Sequence, residues 1–125
     1  MKKYKEIITT VIKQMGIPAS LIGYHYIRDA VEMMIEDINL IKAITKTIYP
    51  AVATKYGTSA SRVERGIRHA IEVGYDRANA ELKNKMFSYS LSADAVRPTN
   101  SEFLAAVADY VILKCEHEGD GEADA

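Results

Sequence analysis

The sequence predicts an all-α domain of about six helices arranged around a helix-turn-helix. Three observations carry that prediction. Apolar residues recur at three- and four-residue spacing along most of the chain. No segment shows sustained strand alternation, and no internal repeat is present. In the middle lies a short helical segment, then a glycine, then a strongly amphipathic stretch from Ser59 to Arg77. At 125 residues, 48% apolar and 26% charged, the chain suits one hydrophobic core and is too short for two. We expect residues 1–115 to form the domain and residues 116–125 to form an acidic, disordered tail.

Taken in order, Ile7, Ile8, Val11, Ile12 and Met15 make a first helical stripe, stopped by Gly16 and Pro18. Ile27, Ala30, Val31, Met34, Ile35 and Ile38 make a second. A third starts near Leu40 with Ile41, Ile44 and Ile48, and is expected to kink or break at Tyr49-Pro50. Tyr49 to Tyr56 is a short helix with Pro50 at a tolerated early position. Gly57 suits the left-handed turn that ends it.

The stretch from Ser59 to Arg77 sorts cleanly at about 100° per residue. Val63, Ile67, Ala70, Ile71, Gly74 and Ala78 share one face, which needs a core to pack on. Ser61, Arg62, Arg65, Arg68, His69, Glu72 and Asp76 share the other, and Ser61 with Glu64 fits a Ser-x-x-Glu capping box. Ala53, Gly57 and Val63 stand where helix-turn-helix motifs place a small residue, a turn glycine and an inner aliphatic. An ordinary helical hairpin with a solvated arginine face would share the pattern. Ala80 to Phe87 then reads as a short helix with Leu82, Met86 and Phe87 inward, and Tyr89 to Pro98 as a loop with a few extended residues. Thr99 to Glu102 offers caps for a last helix bearing Phe103, Leu104, Val107, Ala108, Val111 and Ile112.

Catalytic patterns are absent from the sequence: no phosphate-binding glycine loop, no Gly-x-Ser-x-Gly, no Cys-x-x-Cys. His25, His69 and His117 lack metal-ligand spacing. Neither an enzyme nor a cofactor is expected. The lone Cys115 forms no internal disulfide, reads as a buried thiol, and fits a reducing cytoplasm. No apolar run approaches the roughly 20 residues that span a bilayer. The formal net charge of −1 hides an asymmetry. Lys42 to Arg77 holds seven basic against three acidic residues, whereas Lys114 to Ala125 holds one lysine against five carboxylates. Screening confines a charge's reach to about 10 Å, so the basic middle sets the field a partner meets.

Several blocks together carry a resemblance. Ser61-Arg62-Val63-Glu64-Arg65 and Ile67-Arg68-His69-Ala70-Ile71-Glu72-Val73 resemble the recognition helix in the effector-domain family of the stage-zero sporulation response regulator of endospore-forming bacteria. Gly16-Ile17-Pro18-Ala19, Gly23-Tyr24 with Tyr26 and Arg28, Ile44-Thr45-Lys46 with Tyr49-Pro50, and Arg97 to Phe103 agree, in the family's order. The resemblance implies six helices that bind double-stranded DNA through a helix-turn-helix. It also implies tandem copies on boxes of the T-G-T-C-G-A-A kind and contact with RNA polymerase sigma factor.

Carried over by position, the base-reading residues are Glu64, Arg65 and Arg68. Arginine offers a bidentate fork to guanine, and a carboxylate accepts from cytosine N4. Capping the helix is an alternative, sufficient reason for Glu64. Ser61, Arg62, His69 and Lys55 are the candidates for holding phosphates. Glu72, Val73 and Phe87 are candidates for the polymerase contact, with Phe87 equally suited to a core. Two departures stand out. Gly66 replaces the family's alanine, and Gly74-Tyr75 replaces a small residue and tryptophan. Each glycine inside a helix costs roughly 1 kcal/mol relative to alanine, so a less stable helix is expected. The sequence also carries no receiver domain, which fits an excised domain or, as we expect from its ends, a stand-alone relative, and leaves control by phosphorylation open. The alternative function is a protein-interaction module of this fold that binds sigma factor or a related regulator without reading DNA. An arginine face has no purpose there, so its presence favours DNA.

Overall fold

The computed structural model describes residues 2–87 and 97–124, and the side chains of residues 4–87 and 97–117. Within them lie six α-helices and no strand. They are α1 (Lys2–Gln14), α2 (Ile22–Glu36), α3 (Tyr49–Tyr56), α4 (Ala60–Gly74), α5 (Ala80–Phe87) and α6 (Asn100–Asp124). α2 is the central strut: it packs against α1, α4 and α6, while α6 also covers α1. The stripes read from the sequence supply this core. Ile8, Val11 and Ile12 of α1, Ile27, Val31 and Met34 of α2, and Phe103, Leu104, Val107 and Val111 of α6 are all buried. Such burial, at about 25 cal/mol per Å² of apolar surface, is what holds short helices that would be marginal alone.

Three expectations change in detail. The second stripe ends earlier than its spacing suggests, because Asp37 is extended (φ −143°, ψ 98°) and its Oδ1 accepts a hydrogen bond from Asn39 N–H at 3.1 Å. Ile38 therefore falls outside α2 and is about half exposed. The third stripe is no α-helix: Ile38–Ala43 is a 3-10 segment and Ile44–Ile48 a single π-turn that runs into α3. Ile44 and Ile48 still reach the core. Finally, α6 continues to Asp124, through most of the segment expected to be a disordered tail. The loop expected at Tyr89 to Pro98 falls, except for Arg97 and Pro98, outside the described residues.

Glycines set how closely α4 approaches its neighbours. A Cβ added to Gly23 of α2 would stand 2.2 Å from the Gly66 carbonyl oxygen and 2.7 Å from Ala70 Cβ. One added to Gly66 would meet the Tyr26 ring at 2.9 Å, and one added to Gly74 would meet Ile17 Cγ1 at 2.6 Å. The helix-propensity cost of Gly74 thus accompanies a close approach to the Met15 carbonyl, whereas that of Gly66 accompanies the Tyr26 ring lying against its backbone.

Candidate nucleic-acid interface

α3 ends where the sequence places its turn. Gly57 is left-handed (φ 63°, ψ 40°), its N–H points at Thr54 O (3.3 Å), and the next amide, Thr58 N–H, donates to Ala53 O (2.9 Å). This glycine-closed end satisfies carbonyls that α3 would otherwise leave open. Two residues later Ser59 caps α4, its Oγ accepting from Arg62 N–H at 3.2 Å. The cap is therefore Ser59, not the Ser61 and Glu64 box expected from the sequence. Helix entry depends on backbone conformation, and Ser59 is the residue that is extended (φ −106°, ψ 154°).

With capping removed as its purpose, the Glu64 carboxylate instead pairs with the Arg68 guanidinium one turn along. Ser61, Arg62, Arg65, Arg68, His69 and Glu72 are exposed, whereas Val63, Ile67, Ala70 and Ile71 are buried. The polar face of α4 is thus turned outward along its whole length. Among the described residues, neither Arg62 nor Arg65 pairs with a carboxylate.

Lys55, at the end of α3, differs from those arginines. Its Nζ lies 3.1 Å from Oδ2 of the buried Asp29 on α2, which also accepts from the Tyr56 hydroxyl at 2.6 Å. Burial first, then the bond to Asp29, pushes the Tyr56 pKa up to about 12. Asp29 thereby ties the end of α3 to α2. Nearby, burial raises the pKa of Glu32, whose Oε1 has no hydrogen-bond partner among the described residues.

The other flank of α4 borders a cleft of about 500 Å³. Glu64, Arg68 and Glu72 form one wall; Arg97, Thr99 and Asn100, at the start of α6, form the other. Thr99 and Glu102 make the reciprocal capping box expected there, with Thr99 N–H to Glu102 Oε1 at 2.8 Å and Glu102 N–H to Thr99 Oγ1 at 3.2 Å. Asn100 Nδ2 donates to the Tyr49 hydroxyl at 3.1 Å and to the Glu64 carbonyl at 2.9 Å. Burial raises the Tyr49 pKa, against the opposing pull of that bond. No local signal could have revealed Asn100 or Asp29 in these roles, since their partners lie far along the chain.

Of the residues proposed for a polymerase contact, Glu72 is exposed and Val73 half-buried. Phe87 is a correction. It is 3% exposed, stacked on Phe103 at 6.0 Å and edge-on to Tyr75 at 5.5 Å between ring centroids. Its place in the chain puts it in the aromatic centre of the core, away from any surface.

The family described as sporulation initiation factor Spo0A C terminal matches residues 8–111. The chain belongs to this family. Members are DNA-binding effector domains of sporulation regulators, not enzymes. The Spo0A C-terminal match runs from the first core residue of α1 to Val111 of α6 and contains the whole of α3, the Gly57 turn and α4. Among the described residues no helix is long and apolar enough to cross a membrane.

Proposed function

We propose that this domain is a sequence-specific transcription regulator that lays α4 in the major groove of double-stranded DNA. The observation that carries the reading is the outward face of α4, where Arg62, Arg65 and Arg68 recur one helical turn apart beyond a glycine-closed turn. Arg65 and Arg68 take base edges, most naturally guanine O6 and N7. Glu64 serves two ends, accepting from cytosine N4 and holding the Arg68 guanidinium. Ser61, Arg62 and His69 hold phosphates; Lys55 adds charge beside them while bonded to Asp29. Glu72 and Val73 remain the surface offered to polymerase sigma factor, and tandem sites would bring two copies side by side.

Binding isotherms test this, on a duplex carrying a T-G-T-C-G-A-A box and on a scrambled one, at several salt concentrations. Affinity for both should fall as salt rises, because phosphate contacts release counterions. Arg65→Ala should cost about 1–3 kcal/mol on the box alone. Arg62→Ala should weaken both duplexes equally and make the salt dependence shallower. Equal losses on both duplexes for Arg65→Ala would make that residue a phosphate contact.

A further inference from the structure

Asn100 faces α4 across the cleft, and its amide nitrogen bridges the two helices of the helix-turn-helix. One bond reaches the hydroxyl of Tyr49, the first residue of α3; the other reaches the backbone carbonyl of Glu64, in the second turn of α4. A carbonyl only accepts, so the side-chain atom facing Glu64 is the amide nitrogen and not its oxygen. Glu64 O has a second lone pair to spare beside its bond within the helix. We propose that Asn100 is a positioning residue for base reading: its amide fixes the rotation of α4 so that Glu64 and Arg68 meet the groove in one register. This rests on the reading given under Proposed function.

The physical need is directional. Val63, Ile67 and Ile71 decide which face of α4 turns inward, but apolar burial scales with area and has no preferred angle. Ser59 fixes where the helix begins, at its very end. Neither supplies a directional contact at the second turn of α4, where Glu64 lies. A hydrogen bond weakens steeply with misalignment, and a bidentate fork on a base edge tolerates little displacement. The bond at 2.9 Å joins backbone to backbone-fixed side chain across 36 residues, one turn before Arg68. It therefore supports the reading residues without touching DNA.

The test uses the full chain with Asn100→Leu, which keeps the size and removes the donor, and Tyr49→Phe, which removes only the bond to α3. Amide hydrogen exchange is followed in the free protein, and isotherms are taken on the box and scrambled duplexes. For Asn100→Leu we expect faster exchange confined to the first two turns of α4. Preference for the box should fall about tenfold, with affinity for the scrambled duplex unchanged. Tyr49→Phe should keep the preference within about twofold. Wild-type exchange and preference in Asn100→Leu would overturn the proposal. So would equal losses on both duplexes with every helix exchanging faster, the mark of general destabilisation. If the unaltered domain does not distinguish the duplexes, the DNA reading fails, and exchange alone decides whether Asn100 anchors α4. Should Asn100→Leu not fold, Asn100→Ser, too short to bridge both partners, takes its place with the same readouts.

Discussion

The two sides of α4 use the same kinds of residue for opposite ends. On the inner side, Gly66 and Gly74 exist because something else occupies the space: Tyr26 lies on one, and Ile17 with the Met15 carbonyl on the other. At the outer corner, Gly57 has nothing within 4 Å of where a Cβ would stand, and it is there for its left-handed φ of 63°. Polar residues divide in the same way. Asp29, on the inner side, is buried and shared between Tyr56 and Lys55, whereas Arg62 and Arg65 on the outer side meet no carboxylate among the described residues. The inner side is committed to holding the fold, and the outer side is left available to a partner.

The largest effect should come from filling the inner contact. Gly23→Ala places a Cβ against a backbone carbonyl that has nowhere to move, and should cost about 3 kcal/mol by calorimetry. A melting temperature close to the unaltered domain's would mean that α2 and α4 sit further apart.

The outer glycine should cost less and respond to different chemistry. Gly57→Val should destabilise by about 1–2 kcal/mol through left-handed strain alone. Gly57→Asn should recover part of it, since asparagine tolerates that conformation. An asparagine as harmful as valine would point to a steric cause and erase the contrast between the glycines.

Next comes the tie to Asp29. Tyr56 holds its proton to about pH 12 in the folded domain but loses it near its ordinary value of 10 when unfolded. Its stabilisation is whole below pH 10 and is lost as pH rises towards 12. Tyr56→Phe should cost about 1 kcal/mol at neutral pH. It should also flatten the alkaline fall, leaving the share due to Tyr49 and Tyr75, which burial also raises. Identical alkaline profiles for the two proteins would remove Tyr56 from that role.

The smallest effect belongs to the exposed face. Arg65→Ala should change unfolding free energy by no more than about 0.5 kcal/mol. Arg68→Ala should cost slightly more, because it also breaks the pair with Glu64 one turn away. A large loss from Arg65→Ala in a melting curve would mean that the outer face is structural after all.

Much of this was legible in the sequence because it is local. Stripe spacing, Gly57 and the run of arginines each declare themselves within a few residues, so the six helices, the turn and the outward face of α4 could be read directly. The misreadings occurred where two local signals competed. Ser59 and Ser61 both suit a cap, and only the backbone path out of Gly57 selects Ser59. Ile38 continues a helical spacing that Asp37 interrupts by accepting from the amide of Asn39, two residues on. Phe87 fits a surface or a core until Phe103 and Tyr75 are seen around it.

The meetings of distant segments belong to the packed fold alone. Gly66 and Gly74, which read as weaknesses of an isolated helix, are the places where α2 and the turn after α1 come closest to α4. Asn100, which reads as part of a helix start, reaches back 36 residues to the helix that faces DNA in our proposal. Periodicity and propensity describe a residue's fit to its own helix, whereas close packing and hydrogen bonding depend on which other segment arrives, and from what direction.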